Sequence, residues 1–281
     1  MSRSGSGSDQ LAQVAILATS RTLGGVAVLG VVVEAGARAG GHEGKLVLVG
    51  PYDPCGECDV CRRGGAAVCP QRINRDALGD HVIATGRYLV PLENGLDLPN
   101  PAGAVVAGDV ALAYTLYART GPAPRDPVVV VGAAPVTRFL IEILRAKGIT
   151  PIAVADPART AWCEWLASKG AAVVHDAAGV TAAISAQGAT ARAARVIATT
   201  AEAVAAAADL TGPRSTLTVL APVTFLPGLV ADREVTVIPV AGAHPDLVVE
   251  AAAMCGKGEI DLATGTAVTE TADLRALVEP R

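Results

Sequence analysis

Aromatic residues are scarce in this chain. They make up 3% of its 281 residues, with two Trp, two Phe and four Tyr, although hydrophobic residues as a whole reach 51%. A surface that stacks nucleic-acid bases needs several aromatic rings, so the scarcity argues against that class of function. The core must instead be built mainly from Ala, Val, Leu and Ile.

Long apolar runs and an excess of positive charge are also lacking. No apolar stretch reaches the roughly 18 residues that suggest a membrane span. The net charge of −4 argues against a phosphate-backbone partner. The Gly/Ser-rich start, residues 1–10, predicts a flexible lead without the apolar core of a signal peptide. We therefore expect a cytoplasmic protein with neither nucleic acid nor membrane as its partner.

Cysteine is absent before Cys55, and four of the six cysteines then fall within fifteen positions. Cys55, Cys58, Cys61 and Cys69 follow the spacing C-x2-C-x2-C-x7-C, and Gly56 gives the loop backbone freedom. Four thiolates from one loop can surround a tetrahedral Zn²⁺ with Zn–S distances of about 2.3 Å. Such a site has no open coordination position, so the predicted zinc is structural and does no chemistry.

Two alternatives to zinc remain open for the cysteine lobe. The run C-x2-C-x2-C, with a later Cys69-Pro70, is similar to an iron–sulfur run, although the last cysteine follows seven residues instead of three. The cysteines could also form disulfides, but nothing else in the chain suggests an oxidising compartment.

The first part of the chain, residues 11–120, predicts a compact β domain. Apolar runs that glycine interrupts indicate short strands at 26–29, 31–33 and 46–49. The cysteine lobe follows at 54–70. An apolar stretch with helical spacing at 104–119 predicts a helix that leaves this domain.

From Pro127 onwards, apolar runs alternate with segments of helical pattern. This alternation predicts βαβ units and a parallel sheet. The strands are expected at 128–131, 152–155, 172–174, 195–198, 217–220 and 235–240, with helices at 136–147, 159–168 and 201–209.

A turn of the kind that holds a dinucleotide pyrophosphate follows the first of these strands. The fingerprint G-x-G-x-x-G is represented by Gly132-Ala-Ala-Pro-Val-Thr137, which keeps only the first glycine. Ala134 places a methyl group where the backbone should approach the pyrophosphate, and Thr137 adds bulk where helix and strand should pack closely. Asp156, 24 positions after Gly132, stands where a carboxylate would bind a ribose.

These residues define a candidate cofactor site. Its members are Gly132, Ala134, Pro135, Val136, Asp156 and Arg159. Asp156 would repel a ribose phosphate and so favours NAD(H) over NADP(H), although Arg159 lies close enough to complicate the choice. The alternative is a Rossmann-type domain that no longer binds a nucleotide.

Taken together, these features resemble the zinc-containing medium-chain alcohol dehydrogenase superfamily, in a divergent and shortened form. The resemblance covers nearly the whole chain. Besides the cysteine lobe, it rests on residues 25–36, 88–91, 130–136 and 235–242. It implies an α/β protein with a GroES-like β-barrel domain at 11–120, a Rossmann doubly wound parallel sheet at 121–246, and a return at 247–281 that packs on the first domain.

The departures from that family concern its catalytic zinc. The family's first ligand is a cysteine near the N-terminus, and this chain has no cysteine before Cys55. Gly25-Val26-Ala27 stands where the family has the ligand-bearing G-H-E, and Gly108 stands at the third ligand position. A zinc-polarised substrate would then be unavailable. A G-H-E sequence does occur at Gly41-His42-Glu43-Gly44, but it lies only 13 residues before Cys55 and not at the position that the family uses. We interpret it as a surface turn, with a displaced ligand pair as the alternative.

Few acid–base groups remain as catalytic candidates. Asp109 and Tyr114 lie near the start of the helix between the domains and are the best of them, although packing and helix-start charge explain them equally well. His175 follows a predicted strand and is expected at the surface. Cofactor and candidates together favour an NAD(H)-dependent oxidoreductase that works without a catalytic zinc.

The alternative function is a non-catalytic pseudoenzyme that serves as a scaffold, subunit or small-molecule binder. The missing ligands and loop glycines favour it, and fold alone does not decide between the two. The apolar edge strand at 235–240 needs a partner or a cover, so a homodimer is expected in either case. The sequence carries no indication of the substrate.

Overall fold

The computed structural model describes residues 8–22, 25–75, 79–92, 102–189, 195–220, 232–262 and 269–270. The chain forms two compact units, one of Met1–Leu112 with Gly242–Arg281 and the other of Ala113–Ala241. Residues 1–7 of the predicted lead, and 263–268 and 271–281 of the predicted return, lie outside the described residues. None of the described helices is long and apolar enough to cross a membrane.

The first unit is built on an antiparallel sheet, as the predicted barrel-like domain requires. Strand β1 pairs with both β2 and β6, and the order continues from β2 through β3 to β7. The short strands β4 and β5 pair separately beside the cysteine lobe. The bounds are β1 (Leu11–Thr22), β2 (Gly25–Ala35), β3 (Leu46–Val49), β4 (Tyr52–Asp53), β5 (Ile73–Asn74), β6 (His81–Thr85) and β7 (Leu89–Pro91).

The predicted break between strands 26–29 and 31–33 is wrong, because β2 runs through Gly30 without interruption. A Cβ atom at Gly30 would lie 2.3 Å from the backbone oxygen of Ala15 on β1. The glycine is therefore there for the close approach of the two strands. Ala12, Val14 and Ile16 of β1 and Val28 and Val32 of β2 are buried in the core of this unit.

The predicted helix at 104–119 is confirmed, but its geometry changes along its length. It begins as α2 (Gly103–Val105), widens into a π-helical segment (Val106–Val110) and continues as α3 (Ala111–Thr120). A short helix in the cysteine lobe, α1 (Asp59–Arg62), precedes it. A π-helical turn is rare and is often found at functional sites.

The second unit is the predicted doubly wound parallel sheet. Its strand order is β10-β9-β8-β11-β12-β13, so β8 lies between β9 and β11 at the point where the winding reverses. The bounds are β8 (Val128–Val131), α4 (Pro135–Ala146), β9 (Ile152–Val154), α5 (Thr160–Ser168), β10 (Ala172–Val174), α6 (Ala177–Ala186), β11 (Arg195–Ala198), α7 (Ala203–Asp209), β12 (Thr216–Leu220) and β13 (Thr236–Val240).

In the first unit the sequence analysis missed the long strand β1, and in the second unit it missed helix α6. Its start signal is present, since Asp176 accepts a hydrogen bond from the Gly179 N–H at 2.7 Å as an N-cap. Alanine and glycine dominate its sequence and hide the helical pattern, with Val180 and Ile184 as its buried residues.

After β13 the chain returns to the first unit. Helix α8 (Val248–Gly256) packs against the π-helical segment, and β14 (Thr269–Glu270) pairs with β1. Ala251 and Ala252 of α8 are fully buried, since their small side chains allow a close approach.

Candidate functional site

The four cysteines of the lobe between β4 and β5 lie together. The Sγ atoms are 3.9 Å apart for Cys55–Cys61 and Cys58–Cys69, and 3.6 Å apart for Cys55–Cys69. All four lie within 4.8 Å of one another. Because Zn–S bonds of about 2.3 Å place tetrahedral sulfurs about 3.8 Å apart, the quartet fits one tetrathiolate ion.

Backbone amides of the lobe are arranged to stabilise thiolates. The Cys61 N–H donates to the Cys58 Sγ, and the Cys55 N–H donates to the Cys69 Sγ, both at 3.5 Å. The backbone N–H groups of Glu57 and Cys58 lower the pKa of Cys55 to about 6. The thiolate form that a metal requires is therefore favoured at this cysteine.

The same distances favour one of the alternatives for the lobe. A disulfide needs an S–S distance of about 2.05 Å, and all six cysteines, each of them described, are free. A cluster of several irons holds its thiolates around its outside, farther apart than a single ion does. The compact quartet therefore favours one metal ion.

A buried ion pair fixes the base of the cysteine lobe. The Arg75 guanidinium lies 2.7 Å from the Asp53 carboxylate, with 2% and 4% of the side chains exposed. The same carboxylate accepts the Thr85 N–H at 2.6 Å, and Arg75 also donates to the Gly50 carbonyl at 2.7 Å. Shared hydrogen bonds of this kind are what make a buried charge pair tolerable.

The positions that the resemblance assigns to catalytic ligands also come together in the first unit. A Cβ atom at Gly108 would lie 3.4 Å from the Cβ of Ala27 and 3.5 Å from that of Thr22. Val26 and Ala27 are buried, and neither they nor Gly108 has a side-chain atom that binds a metal. These three positions therefore offer no metal ligand of their own.

One ionisable group stands beside these positions. Asp109 is buried in the π-helical segment, and its Oδ1 accepts a hydrogen bond from the Thr22 hydroxyl at 2.7 Å. Burial raises the pKa of Asp109 above its usual value, and the Thr22 hydrogen bond opposes this in part. The carboxyl group therefore keeps its proton to a higher pH than an exposed aspartate would.

Tyr114, the other catalytic candidate, belongs to the second unit. Its ring packs edge-on against Tyr117 with centroids 5.7 Å apart, and the Lys147 Nζ lies 5.7 Å from the ring centroid. These contacts are those of a packing residue, and a catalytic role of Tyr114 stays a prediction.

The turn with His42 and Glu43 does not join a group of ligands. His42 ends a short 3-10 helix, and the Glu43 Oε1 accepts the Ala35 N–H at 3.2 Å. In the described part of the chain, the cysteine quartet is the sole group of three or more side chains placed to hold a metal.

A pocket lies at the carboxyl ends of β8, β9, β10 and β11 in the second unit. Its cavity volume is about 430 Å³, within the range of about 300–1,000 Å³ that small-ligand sites occupy. It contains Gly132, Asp156 and Arg159 of the candidate cofactor site. The remaining lining residues are Val131, Ala133, Val154, Ala155, Trp162, His175, Thr200, Glu202 and Ala203.

The other three candidates, Ala134, Pro135 and Val136, head helix α4 beside the pocket. Ala134 is the N-cap, Pro135 is the first helical residue, and Val136 is buried. Gly132 has φ +112°, and a Cβ atom there would lie 2.5 Å from the Thr199 hydroxyl. This glycine is therefore required by the backbone and by the close approach of Thr199.

The turn at 132–137, which keeps only one glycine of the fingerprint, is held by hydrogen bonds between its own residues and Thr199. The Thr137 hydroxyl accepts the Ala134 N–H at 3.1 Å, and the Thr137 N–H donates back to the Ala134 carbonyl at 2.9 Å. Thr137 is buried, and its Oγ1 lies 2.7 Å from the Thr199 Oγ1. The bulk of Thr137 is thus accommodated by a hydroxyl pair.

Trp162, His175 and Glu202 line the pocket and were not among the predicted site residues. The expectation of a surface position for His175 is confirmed: the residue is exposed, and its Nδ1 lies 2.8 Å from the Ala155 carbonyl oxygen. His175 follows β10, as Asp156 follows β9 and Glu202 follows β11. Residues just after parallel strands share one edge of the sheet, and that rule could have found His175 and Glu202.

No family model matches the sequence. The structure, however, is similar to several solved dehydrogenases. D-arabinose dehydrogenase from Sulfolobus solfataricus superposes with a TM-score of 0.73 at 16% identity, covering 90% of this chain and 88% of that one. Alcohol dehydrogenase TADH from Thermus sp. ATN1 gives 0.74 at 18%, covering 93% and 86%.

A third similar structure was solved with a cofactor. It is the short chain alcohol dehydrogenase rspB from E. coli CFT073 complexed with NADH, with a TM-score of 0.74 at 14% identity over 92% of this chain and 83% of that one. At these identities the likeness shows the fold. The α/β architecture that the sequence resemblance implied, that of the alcohol dehydrogenases, is confirmed.

Proposed function

We propose that this protein is a non-catalytic member of the dehydrogenase fold that binds a nucleotide-type small molecule. A contrast between two regions carries the proposal. The pocket of the second unit keeps a glycine turn, a carboxylate and a cation at Gly132, Asp156 and Arg159. The positions for a catalytic metal in the first unit hold Ala27 and Gly108.

The carboxylate supports the binding half of the proposal. Asp156 follows β9, where an acidic residue in this kind of sheet accepts hydrogen bonds from ribose hydroxyls. Its Oδ1 accepts the Ala158 N–H at 2.9 Å, which orients the carboxylate. Within the described residues, no hydrogen-bond donor is found for its Oδ2, so that oxygen is available to a ligand.

The apolar ligand positions support the non-catalytic half. A catalytic zinc needs three protein ligands and an open position. Val26, Ala27 and Gly108 supply none, and Thr22 and Asp109 beside them satisfy each other by a hydrogen bond. Loss of all three ligands removes metal-assisted polarisation of a substrate from this site.

A second candidate function rests on Asp109 itself. In an NAD(H)-dependent oxidoreductase without catalytic zinc, a protonated carboxyl group could give a proton to a carbonyl substrate. Burial raises the pKa of Asp109, which favours the protonated form that this role requires. This candidate needs hydride transfer that depends on Asp109, which the non-catalytic proposal does not allow.

The cysteine lobe is proposed to hold a structural zinc. The Sγ distances of 3.6–3.9 Å and the amide donors to sulfur support this choice. When bound, the ion would link α1 and the strands β4 and β5 into one lobe. Because zinc thiolates require reduced cysteines, the proposal also places the protein in a reducing compartment such as the cytoplasm.

The proposed partner is a second copy of the chain. Strand β13 is the edge of the parallel sheet, and Val237 and Ile238 on it are half-buried. An edge strand of this kind needs pairing or a cover. Pro239 in the same strand donates no backbone hydrogen bond, so side-chain packing would contribute a large share of the contact.

Calorimetry on the zinc-loaded protein, with nucleosides, NADH and NADPH, tests the main proposal. We expect micromolar binding of at least one ligand, and Asp156→Asn should weaken it at least about tenfold because it removes a charged acceptor. Glu164→Gln is the matched control, since Glu164 lies exposed on α5 outside the pocket. Absence of binding at millimolar ligand, or binding that Asp156→Asn leaves unchanged, would refute the proposal.

A further inference from the structure

We propose that the ligand of this pocket is a ribonucleoside with an amino-bearing base, such as adenosine, and not a dinucleotide. The inference rests on the proposed function, because it names the ligand class of the same site. Three features carry it: the closed turn at the head of α4, the free carboxylate oxygen of Asp156, and the acceptor nitrogen of His175.

The turn leaves few donors for a pyrophosphate. A dinucleotide is normally held by backbone N–H groups at the helix N-terminus. Here the Ala134 N–H donates to the Thr137 hydroxyl, the Thr137 N–H donates to the Ala134 carbonyl, and Pro135 has no N–H. Ala134, Pro135 and Thr137 at the start of α4 therefore offer no free backbone N–H to an anion.

A chain of buried hydroxyls keeps the turn closed. The Thr199 hydroxyl donates to the Val131 carbonyl at 3.1 Å, so the hydrogen bond of 2.7 Å between Thr137 and Thr199 must use the Thr137 proton. The Thr137 oxygen is then free to accept the Ala134 N–H. Every donor in this series of hydrogen bonds has a partner. A phosphate that bound the Ala134 N–H would therefore break a satisfied buried network.

Charge in the pocket also disfavours a pyrophosphate. Two carboxylates, Asp156 and Glu202, line it against one guanidinium, Arg159. An uncharged ribonucleoside avoids this excess of negative charge. The free Asp156 Oδ2 can still accept from the ribose hydroxyls, which are the part of a nucleotide that this position recognises.

His175 supplies the preference for the base. A carbonyl oxygen only accepts, so the contact of 2.8 Å to Ala155 places the proton of the neutral ring on Nδ1. Nε2 then remains an acceptor, which suits the amino group of adenine and not the carbonyl of hypoxanthine. Trp162 forms part of the same pocket wall, so its fluorescence is expected to change when a ligand binds.

Titration of the zinc-loaded protein with adenosine, inosine, AMP and NADH tests the inference, by calorimetry and tryptophan fluorescence. We expect NADH and AMP to bind no more than about threefold tighter than adenosine, and inosine to bind about tenfold more weakly. NADH binding at least tenfold tighter than adenosine would overturn the inference and leave the nucleotide-binding proposal intact. Binding of none of the four would overturn both.

A variant gives an independent test of the closed turn. Thr137→Val keeps the shape of the side chain and removes its hydroxyl, which frees the Ala134 N–H. The affinity for AMP relative to adenosine should rise about tenfold, the effect of one hydrogen bond to a charged group. Thr181→Val on exposed α6, where the hydroxyl donates to the Ala177 carbonyl, is the matched control. An unchanged ratio in a folded Thr137→Val protein would contradict the role of Thr137, and the wild-type titration decides if that variant does not fold.

Discussion

Arg75 and Asp53 form a buried ion pair, 2.7 Å long, at the base of the cysteine lobe. Asp53 ends β4 and Arg75 follows β5, so the ion pair joins the chain segments that enter and leave the cysteine lobe. The Arg75 carbonyl also accepts the Val26 N–H of β2 at 2.7 Å. The lobe is therefore tied to the antiparallel sheet by charge and backbone together, independently of any metal.

Removal of this arginine should strongly destabilise the protein. Arg75→Met leaves the Asp53 carboxylate buried and unpaired, which costs about 3–5 kcal/mol in the free energy of unfolding. Urea denaturation at neutral pH measures it. Arg62→Met is the control, because the Arg62–Asp59 pair is exposed and contributes about 0–1 kcal/mol. Equal effects of the two substitutions would show that the buried pair does not anchor the lobe.

Metal analysis of the purified protein should find one zinc per chain. Cys58→Ser removes a ligand of the quartet and should lower both the zinc content and the thermal midpoint, since metal binding stabilises the folded lobe. Cys163→Ser, outside the quartet, should change neither. Bound iron with visible absorbance, or full zinc content in Cys58→Ser, would refute the tetrathiolate zinc site.

The stability of the protein should carry a pH dependence that belongs to Asp109. Burial raises its pKa in the folded state above the usual 3.8, so the folded protein binds the proton more tightly than the unfolded chain. The contribution of this group is therefore fully present at low pH and is lost as the pH rises through the raised pKa.

Replacement of Asp109 isolates that contribution. Asp109→Asn keeps an acceptor for the Thr22 hydroxyl and cannot ionise, so its free energy of unfolding should fall less than that of the wild type as pH rises above about 4. Asp126→Asn, at a half-buried position in the second unit, serves as a control for the loss of a carboxylate. Parallel curves for wild type and Asp109→Asn would contradict the assignment.

Light scattering should find a dimer. Ile238→Lys places a charge on the edge strand β13 and should shift the protein towards the monomer, because edge lysines prevent strand pairing. Val33→Lys, at an exposed position on β2 of the other unit, should leave the mass unchanged. A wild-type monomer, or a dimer that Ile238→Lys does not weaken, would exclude β13 as the interface.

The sequence predicted the elements whose periodicity is strong. The four-valine strand β8 and the amphipathic α4 are found where apolar runs placed them, within one residue at each end of α4. Helix α6 was missed because alanine has no preferred face. The π-helical turn around Asp109 was not predicted; it packs against α8, whose residues lie far away in the sequence.

The candidate site was predictable in part for a similar reason. Spacing alone identified the cysteine quartet, since one loop supplies all four ligands. The pocket needed the order of the parallel strands before His175 and Glu202 could join Asp156. The hydrogen bond between the Thr137 and Thr199 hydroxyls joins residues 62 positions apart. A local motif such as G-x-G-x-x-G cannot predict a contact over that distance.

The most direct test of the account is a single-turnover measurement of hydride transfer. Zinc-loaded protein in excess over NADH, mixed with aldehydes, ketones and enoyl compounds, should show no loss of nicotinamide absorbance beyond a protein-free control, while adenosine still changes the tryptophan fluorescence. Oxidation of NADH by the wild type that Asp109→Asn abolishes would contradict the account and establish a zinc-independent oxidoreductase.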